Sequence, residues 1–203
     1  MSQKGTNVTL GQPTRSDQAP RPALQQRVTD AILDAAAGVL AARGESASMN
    51  DVAEAAGVAR ATLYRYFPSR QALLDELAAL AVADAEERLV AARLEEVATD
   101  EGVTRVVRAL LEVGDAFVVL ARERVQPDAE QFERSVGRPL RRLVERAQAG
   151  GDLRDDFPAT WLTDALVSLV VSVLRSRPAT GREDTIARIT TLFLDGARPR
   201  PPG

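Results

Sequence analysis

The side chains best suited to chemistry lie in one short stretch, and their pattern indicates nucleic-acid reading. Arg60, Ala61, Tyr64 and Arg65 follow one another at i, i+1, i+4 and i+5, so a helix would present them on one face. An arginine on that face can bind guanine O6 and N7 together, and a small alanine lets the helix enter the groove and touch a thymine methyl. The tyrosine hydroxyl and the second arginine would reach phosphates. A solvated helix face with a packed tyrosine would show the same spacing.

The residues around this face fit the plan of a helix-turn-helix. Ser48 precedes Asp51 by three residues, which is the spacing of a capping box, and it opens a short helix that ends at Gly57. Glycine tolerates the positive φ of a tight turn, and a second short helix is predicted from Ala59 to Phe67. The corner also needs a small residue at the crossing and apolar residues on both sides, which the sequence supplies at Ala53, Val52, Ala56, Val58, Leu63 and Tyr66. The completed pattern favours the nucleic-acid interpretation.

The positive charge of this face must act locally. The chain as a whole is slightly acidic, with 26 basic and 29 acidic residues and a net charge of −3. A general attraction to phosphate is therefore excluded as the source of binding. The sequence predicts instead a local face made by Arg60, Arg65 and Arg70, with added phosphate contacts from Ser48 or Asn50. Binding by such a face should depend only modestly on salt.

The residue types that the chain lacks exclude most catalytic chemistry. It contains no Cys and no His, so thiolate metal sites, disulfides, thiol nucleophiles and imidazole acid–base catalysis are not available. Lys4 is the only lysine, which argues against a Schiff base. We therefore expect no enzyme, no cofactor and no metal. A helical enzyme that uses carboxylates such as Asp155 and Asp156 is the alternative, although no paired-acid or phosphate-loop motif accompanies them.

An all-α fold of about nine helices is predicted, because apolar residues recur with the helical period and no strand pattern competes. Residues 1–21 are expected to form a disordered arm, and residues 22–68 a three-helix helix-turn-helix domain. Residues 69–197 are expected to bind an effector and dimerise, and 198–203 to form a disordered tail. The chain shows neither a secretory signal nor an uninterrupted apolar run of membrane-spanning length. A cytoplasmic location without a membrane partner is the default expectation.

Gly114 falls in the middle of the predicted fifth helix, which runs from Glu101 to Arg124. A glycine inside a helix costs about 1 kcal/mol relative to alanine. Two explanations are open, namely closer packing of neighbouring helices or space for a ligand. The other predicted helices span Pro22–Arg43, Ser48–Gly57, Ala59–Phe67, Ser69–Leu94, a short segment after Pro127 that includes Phe132, Arg138–Ala149, a helix that starts at Pro158, and Arg182–Ala197.

The segment from Ser48 to Arg70 resembles the DNA-binding signature of TetR/AcrR-type transcriptional regulators, and the resemblance covers about residues 25–80. Its most specific part is Tyr64-Arg65-Tyr66-Phe67 followed by Pro68 and a basic residue. Arg70 stands where lysine is usual, a change that a phosphate contact should survive. Ala59 and Ala61 stand where serine and glycine are frequent, which leaves the operator sequence open. The DNA-contacting residues predicted in this way are Ser48, Asn50, Ala59, Arg60, Ala61, Thr62, Tyr64, Arg65 and Arg70.

The resemblance implies a homodimer whose eighth and ninth helices form a four-helix bundle with those of the partner. The residues themselves support burial there, because the predicted eighth helix is apolar around most of its circumference and needs cover on two sides. A central helix buried inside a monomer is the alternative. Two-fold symmetry suits a palindromic site, with half-sites about 34–36 Å apart or a multiple of that distance.

Regulators of this type also hold an inducer among helices 4 to 8, and helix 4 then acts as a lever on the reading helices. We expect an apolar organic effector. Its candidate pocket walls, each of which also fits plain core packing, are Phe117, Phe132, Leu140, Leu143 and Trp161. The implied function is a ligand-responsive repressor of transcription that the inducer releases from its operator. A protein-interaction adaptor is a further alternative, and a test of DNA binding distinguishes it from a repressor.

Overall fold

The computed structural model describes residues 21–176 and 180–199, and within these ranges the regular structure is helical, without a strand. A 3-10 turn follows α1 at Gly44–Ser46 and another follows α4 at Leu94–Glu96, while a π-helical turn at Glu133–Gly137 joins α7 to α8 without a break. The predicted all-α fold is confirmed. The helices are α1 (Arg21–Arg43), α2 (Met49–Ala55), α3 (Arg60–Tyr66), α4 (Arg70–Ala91), α5 (Thr99–Glu112), α6 (Asp115–Glu123), α7 (Ala129–Phe132), α8 (Arg138–Ala149), α9 (Ala159–Ser176) and α10 (Arg182–Ala197).

The first three helices pack around one apolar core together with parts of two later helices. This N-terminal core consists of the buried residues Ile32, Leu33, Ala36, Leu40, Ala41, Ala47, Val52, Ala53, Leu63, Phe67, Leu73, Leu74, Leu77, Val118 and Val119. Three of them lie on α4 and two on α6. The residues that hold the helix-turn-helix together thus extend past the boundary that the sequence places after residue 68.

A second apolar core fills the space between the remaining helices. In this C-terminal core, α5 packs against α10, and α9 packs against both α6 and α8. Its largest fully buried side chains include Leu110, Leu140, Leu143, Leu166 and Ile186. The predicted N-terminal arm at residues 1–21 lies outside the described residues except for Arg21, which opens α1. Of the predicted tail, only Arg198 and Pro199 are described, and neither is helical.

The helix predicted from Glu101 to Arg124 is two helices, so that prediction is wrong. Gly114 separates α5 from α6 with φ +73° and ψ −137°, a backbone conformation that L side chains rarely adopt. A Cβ placed on Gly114 would meet only the Glu112 carbonyl oxygen, at 3.7 Å. The backbone bend therefore requires the glycine, and the absence of a neighbouring helix near the added Cβ argues against close packing as its reason. Gly114 also lines a cavity of about 280 Å³, so the prediction of space for a ligand stays open.

The capping box predicted at the start of α2 is present. The Ser48 hydroxyl accepts the Asp51 backbone N–H at 3.2 Å, and the Asp51 carboxylate accepts both the backbone N–H and the hydroxyl of Ser48 at 2.7 Å. Arg43 also donates to this carboxylate, at 2.6 Å. These hydrogen bonds, the Ser48 hydroxyl first among them, lower the pKa of Asp51 below its ordinary value.

One side of α9 is left uncovered within a single chain. Leu162, Thr163, Leu166 and Val170 face inward, whereas Trp161 is 52% exposed. By length and composition alone, α9 is the one helix in the described part of the chain that could cross a membrane, and 22% of its 18-residue window is buried. The other exposed residues of α9 are polar, so the predicted need for cover from two directions stays a prediction; they are Thr160, Asp164, Ser168, Ser172, Arg175 and Ser176.

Substituting Gly114 with alanine should destabilise the protein by about 1–3 kcal/mol, because the side chain makes the observed backbone conformation strained. Urea unfolding followed by circular dichroism measures the change. Gly38→Ala is the matched control, since Gly38 is exposed inside α1 and an added Cβ would have nothing within 4 Å. That control should gain about 0.4–1 kcal/mol. Equal effects of the two substitutions would contradict this account.

The stability that the Asp51 carboxylate contributes should depend on pH. A lowered pKa in the folded state means that the contribution is complete above the pKa of the unfolded chain and is lost as pH falls through the lowered folded value. Asp51→Asn should therefore unfold more easily than the parent at pH 7, and the two unfolding curves should converge in acid. Asp75→Asn, which alters a carboxylate bonded to exposed Gln71, serves as control. A gap that persists unchanged at low pH would refute the assignment.

Candidate nucleic-acid interface

A tight corner between α2 and α3 fixes the direction of the candidate reading helix. Gly57 adopts φ +65° after α2, and the Val58 N–H donates to the Ala53 carbonyl oxygen at 3.0 Å. Leu63 is completely buried in the N-terminal core and Phe67 follows it one turn later. With these two side chains turned inward, the opposite face of α3 is presented to solvent.

The outward face of α3 carries the side chains that the sequence singled out. Arg60, Ala61, Tyr64 and Arg65 are all exposed. The guanidinium carbon of Arg60 lies 5.4 Å from the centre of the Tyr64 ring, and that of Arg65 lies 5.4 Å from the Tyr66 ring. Such contacts orient a cation without neutralising it. Among the described residues neither arginine forms an ion pair, so both positive charges stay available to an anionic partner.

The other predicted contact residues at the corner are also accessible. Ser48 and Asn50 are exposed at the start of α2, and Ala59 is exposed just before α3, while Thr62 is half-buried. The Ser48 hydroxyl is engaged in the capping box, so its position is set by the fold.

Arg70 is placed differently from the other predicted contacts. Its Nη1 donates to the Ala47 carbonyl oxygen at 2.5 Å, and its Nη2 donates to Glu123 Oε1 at 2.9 Å and to the Gly44 carbonyl oxygen at 3.4 Å. The side chain is half-buried, with 30% of its area exposed. The guanidinium thus bonds within the chain, whereas the arginines of α3 project from it.

The predicted effector residues do not gather in one cavity. Phe117, Leu140 and Leu143 are buried in the C-terminal core, while Trp161 lies exposed and stacks on Phe157 with ring centres 4.5 Å apart. Phe132 lines a cavity of about 530 Å³ between the end of α6, the π-helical turn and α9. A second cavity of about 370 Å³, lined by Leu143, lies between α4 and α8.

Charged residues that sequence reasoning missed line the larger cavity. Glu133 and Arg141 form an ion pair there, and the exposed Asp164 lies beside Val167 on α9. The cavity therefore combines apolar walls with polar groups able to orient an organic molecule. No sequence signal marks these residues, because charged positions on amphipathic helices are typical of solvated surface.

The carboxylates considered for catalysis do not form a paired site. Arg154 donates to both carboxylate oxygens of Asp156, from Nε at 2.6 Å and from Nη2 at 2.5 Å, and Asp155 is exposed. In the described ranges no group of three or more His, Cys, Asp or Glu side chains could hold a metal ion. These observations give the enzyme alternative no support.

Comparison with known proteins agrees with this geometry. The family model for bacterial regulatory proteins of the tetR family matches residues 32–77. An uncharacterised HTH-type transcriptional regulator of Mycobacterium tuberculosis is 58% identical over 45 residues, which are 22% of this chain and 22% of the relative. The HTH-type transcriptional repressor LfrR of Mycolicibacterium smegmatis is 50% identical over 54 residues, 27% of this chain and 28% of LfrR. These matches thus span about a quarter of each relative's length.

The similarity in three dimensions extends much further along the chain. The crystal structure of LfrR from Mycobacterium smegmatis in complex with proflavine is 27% identical, with a TM-score of 0.71, and the match covers 86% of this chain and 99% of LfrR. The structure of AibR in complex with isovaleryl coenzyme A and operator DNA shares the fold at 20% identity, with a TM-score of 0.65 and coverage of 84% and 97%. The helix-turn-helix is thus similar to that of TetR-family transcriptional regulators over residues 32–77, and the fold of the chain is similar to that of LfrR.

Proposed function

We propose that the protein is a ligand-responsive repressor of transcription, which binds a palindromic DNA operator as a homodimer and is released by a small organic inducer. It acts in the cytoplasm and is not an enzyme. The observation that carries the proposal is the exposed face of α3, where Arg60 and Arg65 stand beside aromatic rings with their charges unpaired by any described residue.

In this proposal α3 enters the major groove. Arg60 lies in the first turn of α3, where it can bind a guanine edge, and Ala61 beside it leaves room for close approach. Tyr64 and Arg65, one turn later, reach phosphates on the flank. The proposed DNA-contacting surface consists of Ser48, Asn50, Ala59, Arg60, Ala61, Thr62, Tyr64 and Arg65.

The two proposed domains meet along α4. Residues 22–68 form the reading domain, although Leu73, Leu74 and Leu77 of α4 complete its core. Residues 69–197 form the domain for effector binding and dimerisation. Since α4 belongs to both cores, a change in its tilt alters the placement of α3, as the lever mechanism requires.

The dimer contact proposed here uses α9 and α10, which are the eighth and ninth helices of the sequence-based count. Trp161 on α9 and Leu192 on α10 are 52% and 64% exposed, and burying large apolar side chains favours association. A two-fold axis through this bundle would present two α3 helices to successive turns of a palindrome.

An inducer site is proposed at the cavity of about 530 Å³ that Phe132 lines. The volume and the mixture of apolar walls with a few polar groups suit an organic molecule. The ligands named in the LfrR and AibR structures, proflavine and isovaleryl coenzyme A, are both organic. Of the other candidates, Leu143 lines the cavity of about 370 Å³. Phe117, Leu140 and Trp161 line neither cavity and would contact a ligand only if the helices rearranged.

Selection of bound sequences from a randomised duplex library tests DNA recognition directly. Arg60→Ala should weaken binding to the selected operator by about 1–3 kcal/mol and relax the preference at one base position in each half-site. Arg138→Ala, which removes an exposed arginine from α8, should leave both unchanged. An equal loss across all operator variants would assign Arg60 to the phosphate backbone, and absence of any selected sequence would overturn the proposed function.

Leu192→Glu should convert the dimer to monomer, because a carboxylate would be buried in the apolar contact. Sedimentation velocity at several concentrations measures the change, and operator affinity should fall with it. Val90→Glu is the matched control, since Val90 is also apolar and 73% exposed but lies on α4. A dimer that survives Leu192→Glu unaltered would place the subunit contact elsewhere.

A further inference from the structure

Helix α6 belongs to both apolar cores. Phe117 and Leu120 pack in the C-terminal core, whereas Val118 and Val119 pack in the N-terminal core. The helix also contacts both α1 and α4. It therefore forms a second connection between the two halves of the chain, separate from the continuous path through α4.

The last turn of α6 makes two polar contacts, one with the last turn of α1 and one with the first turn of α4. Arg122 donates to the carbonyl oxygen of Ala41, in the last turn of α1, at 3.0 Å. Glu123 accepts from Arg70 at 2.9 Å, and its side chain is only 10% exposed. Burial of this carboxylate makes its pairing with a cation more important than that of a surface pair.

Arg70 links three elements through one guanidinium group. It lies in the first turn of α4, donates to the Ala47 and Gly44 carbonyl oxygens in the segment between α1 and α2, and pairs with Glu123 at the end of α6. Ala47 directly precedes Ser48, the residue that caps α2. A planar guanidinium can serve several acceptors in fixed directions at once, which a lysine ammonium does less well.

We propose that Arg70 is a positioning residue for the reading helices and not a phosphate contact, and that the Arg70–Glu123 pair fixes α2 and α3 relative to α6. The regulatory consequence of the Arg70–Glu123 pair rests on the proposed function. Val125, Gln126 and Pro127 line the proposed inducer cavity and begin two residues after Glu123. An inducer that shifts this segment acts on the pair, and through it on the start of α2.

The positioning role of Arg70 and Glu123 can be tested without DNA, by hydrogen–deuterium exchange of the full-length protein. Glu123→Ala and Arg70→Ala should each speed exchange across residues 44–58 by about 3- to 30-fold, and the double variant should add little, because both single changes break the same contact. Glu101→Ala, which removes the exposed partner of Arg105, is the control for loss of a carboxylate. Exchange at the parental rate in both single variants would overturn the proposal.

Operator binding as a function of salt then separates positioning from phosphate contact. The slope of log K against log salt is negative, and loss of one phosphate contact reduces its magnitude by about 0.9. Loss of positioning lowers the affinity and leaves the slope unchanged. We expect Glu123→Ala and Arg70→Ala to weaken binding about 3- to 30-fold with the parental slope, and Arg70→Lys to recover only part of the loss.

Arg65→Gln is the reference in the same assay, because it removes a proposed phosphate contact and should lower the slope. Parental affinity in Glu123→Ala, or a lowered slope in Arg70→Ala, would return Arg70 to the DNA surface and overturn the proposal. If the parent protein itself binds no operator, the proposed function fails, and the exchange experiment still decides whether Arg70 positions α2.

Discussion

A helix of two turns does not hold its shape in water, because helix initiation fixes several dihedral angles for each hydrogen bond gained. The reading helix α3 has seven residues, so its form and direction must come from its neighbours. Leu63 and Phe67 anchor it in the N-terminal core, and the turn at Gly57 sets its angle to α2. The exposed arginines are therefore placed only as accurately as that core is packed.

The same core is completed by residues far along the chain. Leu73, Leu74 and Leu77 come from α4, and Val118 and Val119 come from α6. Packed interiors transmit small displacements because they leave little free volume. Because the N-terminal core includes parts of α4 and α6, displacements in the C-terminal half reach the helix-turn-helix through packing. The break at Gly114 lets α6 run in a different direction from α5.

Little positive charge in this protein is available to bind DNA. The chain carries a net charge of −3, many of its arginines pair with carboxylates or carbonyl oxygens, and two cations on α3 stay unpaired among the described residues. So small a positive surface supplies limited affinity for DNA, which favours reading by two copies on one palindrome. The proposed dimer contact would supply the surface for such pairing, with Trp161 of α9 and Leu192 of α10 exposed on a single chain.

The sequence alone determined what depends on local rules: the all-α class from the helical period, the capping box at Ser48, the turn at Gly57, and the outward face of α3 from residue spacing. The resemblance to TetR-family regulators follows from the same local signature. Tertiary structure decided what depends on distant partners or on backbone state. Gly114 breaks a helix because of its φ and ψ, which spacing does not encode, and Arg70 turns toward Glu123, a residue 53 positions away. The cavity beside Phe132 likewise arises only where three separate segments meet, since a pocket is a property of packing and not of any one helix.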